Sequence, residues 1–195
     1  MVYNSGQPIN YIEDNCQVKP SAQCHIRFAG AGDLPTLQHL GHETYYQHFA
    51  ALWSEQGIRR FLAQDFAAES LTSSLQPDSG SAWFLAEDER GAAIGFARVN
   101  WDKPLPLSTR RGAELQKIYF LPAATGRGCG ERLMREIMQA ATARRKTLIW
   151  LDVLNSNLDA QRFYARQGFQ PLGQIPYRTD KVDIGMTVMA HELSE

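Results

Sequence analysis

The chain has 195 residues, enough for one domain with a hydrophobic core, and it is 44% hydrophobic and 21% charged, as in an ordinary globular protein. A formal net charge of −1 argues against nucleic acid as the main partner, and no apolar run approaches the ~20 residues that cross a membrane. Three cysteines without C-x-x-C spacing favour free thiols in a reducing cytosol over a disulfide framework.

The first 23 residues are polar and show neither a helix nor a strand period, so we interpret 1–23 as an arm outside a domain that spans 24–195. They lack the basic start and the apolar stretch of a secretory signal, which favours a cytoplasmic protein. A loosely attached leader is the favoured interpretation. An arm that packs on a second subunit, and with it a homodimer, is the alternative.

Strand and helix patterns alternate along the rest of the chain. The first half predicts a strand over 25–29, a helix over 34–49, a longer helical region over 53–76, and strands over 82–86, 93–101 and 115–121. The second half predicts a helix to about Arg145, a strand over 147–153, a helix that Asn155 or Asn157 caps, and closing strands over 169–175 and 184–189. This order is typical of an α/β domain with a mixed sheet.

The stretch 113–134 carries the strongest local signal for a binding site. An apolar segment leads to Pro122 and then into the glycine-rich turn Thr125-Gly126-Arg127-Gly128-Cys129-Gly130. Such glycines leave backbone N–H groups uncovered, and the first N–H groups of the following helix lack internal partners. The pattern predicts an anion site, most often for phosphate. It is not a Rossmann fingerprint, which would need Gly in place of Glu131, and it is not a Walker A loop.

A second run lies downstream of the turn, Asn157-Leu158-Asp159-Ala160-Gln161-Arg162-Phe163-Tyr164, followed by Gly168-Phe169. Together with the turn, this run resembles the GNAT superfamily of N-acetyltransferases. That family has an apolar strand, a proline, R-G-x-G-x-G, a helix, a strand, N-x-x-A-x-x-F-Y and a terminal G-F. Order and spacing match over 115–169, and the upstream order extends the resemblance to about 24–191. Thr125 departs from the pattern, because the family usually has Arg or Gln there to help hold a pyrophosphate.

The resemblance implies a GNAT fold: a mixed, mostly antiparallel sheet of about six to seven strands, flanked by about four helices and splayed between the fourth and fifth strands. It also implies acetyl-CoA as cosubstrate and no metal. The pantetheine would add along the fourth strand, where a backbone N–H of Ile118 or Tyr119 would stabilise the oxyanion. The implied cofactor-binding residues are Ile118, Tyr119, Phe120, Thr125, Gly126, Arg127, Gly128, Cys129, Gly130, Glu131 and Asn157.

The implied reaction is direct attack of an amine on the thioester, and it needs a base. A primary amine with a pKa of ~10.4 costs ~4.6 kcal/mol to deprotonate at pH 7. Glu114 is the first candidate base, although an ordinary carboxylate at the end of a strand explains this residue equally well. Asp152 is the second candidate base. Tyr164 is the candidate acid for the leaving thiolate, with core packing as the alternative. Hydrogen bonding, or a locally lowered tyrosine pKa, is favoured over simple donation, because a tyrosine pKa of ~10 exceeds the thiol value of ~8.5.

A closer resemblance is to bacterial polyamine N-acetyltransferases that act on spermidine and spermine. It rests on the runs 114–119, Ile149-Trp150-Leu151, Glu43-Thr44 and 183–189. The resemblance implies a small amine as acceptor, with Tyr45, Trp101 and Asp152 as candidate contacts, although core packing explains the two aromatic residues at least as well. The alternatives are a protein N-terminus or lysine as acceptor, and a non-catalytic acyl-CoA-binding regulatory protein.

Overall fold

The computed structural model describes residues 24–124 and 128–193. The expected arm (1–23) and three turn residues, Thr125, Gly126 and Arg127, lie outside the described residues. Within them, seven strands form one sheet in the order β1-β2-β3-β4-β5-β7-β6. The strands are β1 (His25–Phe28), β2 (Ser81–Glu87), β3 (Ala93–Pro104), β4 (Arg111–Phe120), β5 (Leu148–Leu154), β6 (Gln170–Arg178) and β7 (Asp183–Glu192). Only β4 and β5 are parallel, so the expected mixed, mostly antiparallel sheet is confirmed.

Helices cover both faces of the sheet and divide the core in two. The described helices are α1 (Leu34–Phe49), α2 (Glu55–Asp65), α3 (Ala68–Ser74), α4 (Cys129–Ala143) and α5 (Leu158–Arg166). The first three bury Leu37, Leu62 and Leu71 against Trp83 and Phe96. The last two pack on the opposite face, in a cluster that includes Leu115, Leu133, Leu151, Tyr164 and Phe169. None of these helices is long and apolar enough to cross a membrane.

The helical region expected over 53–76 is two helices, so that prediction was wrong. The Ser54 hydroxyl caps α2 by accepting a hydrogen bond from the Gly57 N–H at 2.9 Å. After α2 the chain becomes extended at Ala67, with φ −59° and ψ 147°, before α3 begins. Apolar spacing continues across the break because Phe66 and Leu71 enter the same core, which hides the interruption from periodicity.

The fourth strand begins at Arg111, four residues before its expected start, and it contains a bulge. Arg98 of β3 pairs with Lys117, whereas the next residue, Val99, pairs with Leu115. Gln116 is therefore an extra residue in β4. A bulge of this kind bends its strand and redirects the side chains that follow it.

The parallel pairing between β4 and β5 is short. Ala113 pairs with Ile149 and Glu114 pairs with Trp150, and no later residue of β4 that the structure describes pairs with β5. The two strands part just before the bulge, so the expected splay between the fourth and fifth strands is confirmed. The close pairing before the gap depends on Gly112, where a Cβ would lie 2.3 Å from Leu148 Cδ1.

Candidate functional site

Charged side chains gather where β4 and β5 separate, on the face that α1–α3 cover. Glu114 is half-buried there, and the side-chain amide of Asn100 on β3 donates a 2.6 Å hydrogen bond to Glu114 Oε2. This bond orients the carboxylate and leaves its other oxygen for a different partner. The β4 candidate from the sequence is thus held at the edge of the gap.

Asp152 lies on β5, two residues beyond the last pair that joins β4 to β5, and it is exposed to solvent. Its pKa is raised, because neighbouring protein atoms replace part of the water around the carboxylate and because the Glu114 charge is nearby. Lys117 opposes this rise. A carboxylate with a raised pKa binds a proton more readily than an ordinary aspartate, which suits a general base.

Lys117 is a charged residue in an otherwise apolar part of β4, and it is only 7% exposed. Its ammonium Nζ lies 2.5 Å from Asp65 Oδ2, at the last residue of α2, and 5.2 Å from the centre of the Phe61 ring. Burial lowers the pKa of Lys117, while Asp65 and Glu114 act in the opposite direction. Sequence analysis did not select this pair, although a lysine between Leu115 and Ile118 was a visible signal.

Tyr164 lies on α5, in the core on the other face of the sheet, and it is close enough to Asp152 for that charge to affect its pKa. Asn157 caps that helix by accepting a hydrogen bond from the Ala160 N–H at 3.1 Å. The Tyr164 ring packs between Phe163 and Phe169, with centroid distances of 5.3 and 5.9 Å.

Burial, and secondarily the Asp152 charge, raise the pKa of Tyr164. A locally lowered pKa for Tyr164 is therefore wrong. Its hydroxyl stays protonated and makes no hydrogen bond to any residue that the structure describes. It can therefore act as a hydrogen-bond donor, and full proton transfer is less favourable than reference values suggest.

Aromatic rings line the α1–α3 side of the gap. Tyr45 stacks on Phe49 and Phe61, with ring centroids 4.4 and 4.0 Å away, and meets Tyr119 edge-on at 6.4 Å. Burial raises the pKa of both tyrosines and of Tyr177 on β6. Tyr177 was missed by sequence analysis, because its approach depends on contacts between distant strands.

Trp101 does not join this group. It packs in the core with α4, on the opposite face of the sheet, and the Arg144 guanidinium lies 4.3 Å from the centre of its ring. Residues alternate between faces along a strand, and Asn100 faces Glu114, so Trp101 faces away from Glu114. This position favours the core-packing alternative for Trp101 over an acceptor contact.

The start of α4 lies at the end of the glycine-rich turn. Gly128 has φ +79°, a left-handed conformation that favours glycine. Cys129 is buried beside Cys24, whereas Gly130 is half-buried and Glu131 is exposed in the first turn. The backbone N–H groups of this first turn are free of helical partners by geometry and can face an anion.

The family follows from a match over much of the chain. Residues 41–169 match the family model described as the acetyltransferase (GNAT) family. The chain belongs to the GNAT acetyltransferase family. The matched range includes the bulged β4, the glycine-rich turn of the sequence, α4, β5 and α5.

Individual relatives share moderate sequence identity with this chain. An uncharacterized N-acetyltransferase of Mycobacterium bovis is 36% identical over 83 residues, which are 43% of this chain and 53% of the relative, so the chain spans about half the length of the curated relatives it matches at this level. The L-methionine sulfoximine/L-methionine sulfone acetyltransferase of Pseudomonas aeruginosa is 24% identical over 152 residues, 77% of this chain and 83% of that protein.

Solved GNAT structures share the fold. The PaiA N-acetyltransferase from Thermoplasma acidophilum in complex with coenzyme A has a TM-score of 0.67 and 22% identity, covering 87% of this chain and 98% of that one. YncA from Salmonella typhimurium, a putative acetyltransferase with acetyl-CoA, has a TM-score of 0.62 and 22% identity, covering 88% and 95%. The names of these relatives specify no polyamine acceptor, so the closer resemblance to polyamine acetyltransferases gains no support from them.

Proposed function

We propose that this protein transfers the acetyl group of acetyl-CoA to a primary amine, which attacks directly at the gap between β4 and β5. The observation that carries the proposal is the gap itself, with two carboxylates, Glu114 and Asp152, on its strands, and with Tyr164 on α5 near Asp152. Family membership indicates acetyl transfer as the reaction class, and the gap is the site at which we propose that it occurs.

The chain fits acetyl-CoA in two respects. No described residue of β4 beyond Glu114 pairs with β5, which supports a role for the backbone of Ile118, Tyr119 and Phe120 in aligning an extended pantetheine arm as an added strand. The N-terminus of α4 would hold the pyrophosphate through backbone N–H groups of 128–131. Thr125, Gly126, Arg127 and Asn157 complete the proposed binding set. The coenzyme-bound relatives support this assignment.

Asp152 is the more suitable general base of the two carboxylates. Its raised pKa favours proton uptake, whereas Glu114 already accepts a hydrogen bond from Asn100. We therefore assign Asp152, directly or through one water, the proton that the amine must lose, and assign Glu114 the orientation of that amine. Since freeing the amine costs ~4.6 kcal/mol at pH 7, a positioned acceptor for this proton matters for the rate.

Tyr164 and the β4 backbone stabilise the negative charges that develop during the transfer. As the new N–C bond forms, the C–S bond breaks and negative charge passes to the sulfur of coenzyme A. The Tyr164 hydroxyl donates a hydrogen bond to that thiolate and keeps its own proton, in agreement with its raised pKa. A backbone N–H of Ile118 or Tyr119 stabilises the oxygen of the carbonyl while the charge develops there.

The side chains around the gap favour a cationic amine with a hydrocarbon chain. Glu114 and Asp152 attract the ammonium form, and the rings of Tyr45, Tyr119 and Tyr177 suit an apolar chain or a second cation. A polyamine such as spermidine or spermine is our proposed acceptor. Free Cys24 and Cys129 suit the reducing cytoplasm in which we propose that the reaction occurs.

The test is thiol release from acetyl-CoA with spermidine, spermine, amino acids and a peptide panel, together with calorimetric coenzyme A binding. We expect release with at least one amine and much less release from Asp152→Asn. Faster turnover of peptides than of polyamines would assign the protein-directed alternative. Coenzyme A binding without release with any acceptor would contradict the enzyme and favour a regulatory protein.

A further inference from the structure

The Lys117–Asp65 ion pair is an unusual feature of the sheet. Lysine is rarely buried because removing an ammonium from water is costly, yet Lys117 is only 7% exposed. Its partner Asp65 is the last residue of α2, and a carboxylate there faces the negative end of the helix dipole, which is unfavourable for the helix. Neither residue is therefore explained by the stability of its own element.

The position of the pair relates it to the gap. Lys117 comes directly after the bulged Gln116, and its Nζ–Oδ2 contact of 2.5 Å joins β4 to the end of α2. The Phe61 ring, one turn earlier in α2, covers the ammonium at 5.2 Å. The segment of β4 that leaves β5 is thus attached to the helical layer immediately beyond the point of separation.

The Lys117–Asp65 ion pair also affects the charges around Asp152. Glu114 on β4 places a like charge near Asp152, and Lys117 is the cation that opposes it. Tyr119 on β4, Tyr164 on α5 and Tyr177 on β6 also lie close, but their raised pKa values keep them neutral.

Arg98 on β3 pairs with Lys117 in the sheet, and its guanidinium lies 5.3 Å from the centre of the Trp83 ring. Its charged neighbours include Asp65, Glu114 and Lys117, and Asp152 is not among the groups that shift the pKa of Arg98. Two carboxylates close together tend to share one proton unless a cation compensates them. Lys117 interacts with both carboxylates, whereas Arg98 interacts with Glu114 and not with Asp152.

We propose that Lys117, held by Asp65, is a positioning residue for the transfer reaction: it fixes the bulged segment of β4 and keeps Asp152 ionised. The inference rests on the proposed function. In it, Lys117 touches neither the amine nor the acetyl group and acts only through β4 and Asp152. Loss of the lysine charge leaves Asp152 protonated over a wider pH range, so fewer molecules have a competent base at neutral pH.

The experiment replaces the pair and follows Asp152 in two ways. The variants are Lys117→Met and the double variant Lys117→Met with Asp65→Asn, which leaves no buried carboxylate without a partner. Lys117→Arg keeps the charge, and Lys103→Met is the matched control, because Lys103 is exposed at the far end of β3. The readouts are the pH profile of kcat/KM and a carbon-13 NMR titration of the Asp152 carboxyl in the free protein.

We expect the Asp152 midpoint and the acid limb of kcat/KM to move to higher pH in both Met variants, with the plateau at high pH retained within about threefold. Lys117→Arg should restore the midpoint, and Lys103→Met should leave it unchanged. A folded Met variant with an unmoved Asp152 titration would overturn the inference, and so would a loss of kcat/KM that is equal at every pH. If the unmodified protein acetylates no amine, the proposed function fails, and the NMR titration still decides the role of Lys117.

Discussion

Removal of the Tyr164 hydroxyl tests the leaving-group side of the reaction. Tyr164→Phe keeps the ring that packs between Phe163 and Phe169 and deletes one oxygen. Because that hydroxyl has no hydrogen-bond partner among the described residues, the variant should match the parent protein in free energy of unfolding. Its effect should appear only when charge develops on the leaving sulfur.

The size of the effect follows from the kind of hydrogen bond lost. A hydrogen bond to a charged group contributes about 1.5–3 kcal/mol. Since about 1.4 kcal/mol corresponds to a factor of ten in rate, kcat of Tyr164→Phe should fall by at least tenfold and up to about 150-fold. The dissociation constant of acetyl-CoA should change little, because the bond forms mainly in the transition state.

The assay is steady-state thiol release at saturating acetyl-CoA, with the dissociation constant measured separately by calorimetry. Tyr46→Phe is the matched control, since Tyr46 loses the same oxygen from an exposed position on α1. An unchanged kcat in Tyr164→Phe would remove Tyr164 from the mechanism. An equal fall in the Tyr46→Phe control would attribute the loss to something other than the gap.

Four further substitutions test the site and the fold around it. Asp152→Asn should lower kcat/KM by about 10²–10⁴-fold. It should also abolish the acid limb of the pH profile of kcat/KM, which in the parent protein lies at higher pH than for an ordinary aspartate. Glu114→Gln should mainly raise KM for the amine, and a larger kcat loss in Glu114→Gln than in Asp152→Asn would exchange the two roles. Gly112→Ala should lower the free energy of unfolding in urea by about 1–3 kcal/mol, and Gly32→Ala, where a Cβ meets nothing within 4 Å, should not. Asn157→Ala should cost about 1 kcal/mol through loss of the α5 cap, and an unchanged urea midpoint would contradict the capping role.

The sequence predicts the elements around the gap well because their signals are local. The glycine-rich turn, the cap at Asn157 and the strand patterns on either side each depend on residues close together in the chain, and α4, α5, β4 and β5 follow from them. The splay was expected from the family resemblance and is present in the sheet. These elements carry the candidate residues Glu114, Asp152 and Tyr164.

Contacts between distant segments were beyond sequence analysis. Alternation shows that Asn100 and Trp101 face opposite sides of β3, but it does not show which side adjoins Glu114. The sequence therefore left acceptor contact and core packing open for Trp101, and its position in the α4-side core favours core packing. The pairing of Lys117 with Asp65 joins residues of different layers, and no local pattern predicts it. The bulge at Gln116 is likewise defined by the register with β3.

A single-turnover experiment with acetyl-CoA carrying carbon-13 in the acetyl carbonyl tests the central claim most directly. The acceptor is the amine that gives the fastest thiol release, and the carbonyl carbon is followed by NMR as coenzyme A thiol is counted. Direct attack at the gap predicts one labelled amide on the amine for each thiol released, with no label on the protein at any time. Label that first appears on a protein side chain, or that ends as free acetate, would contradict the account.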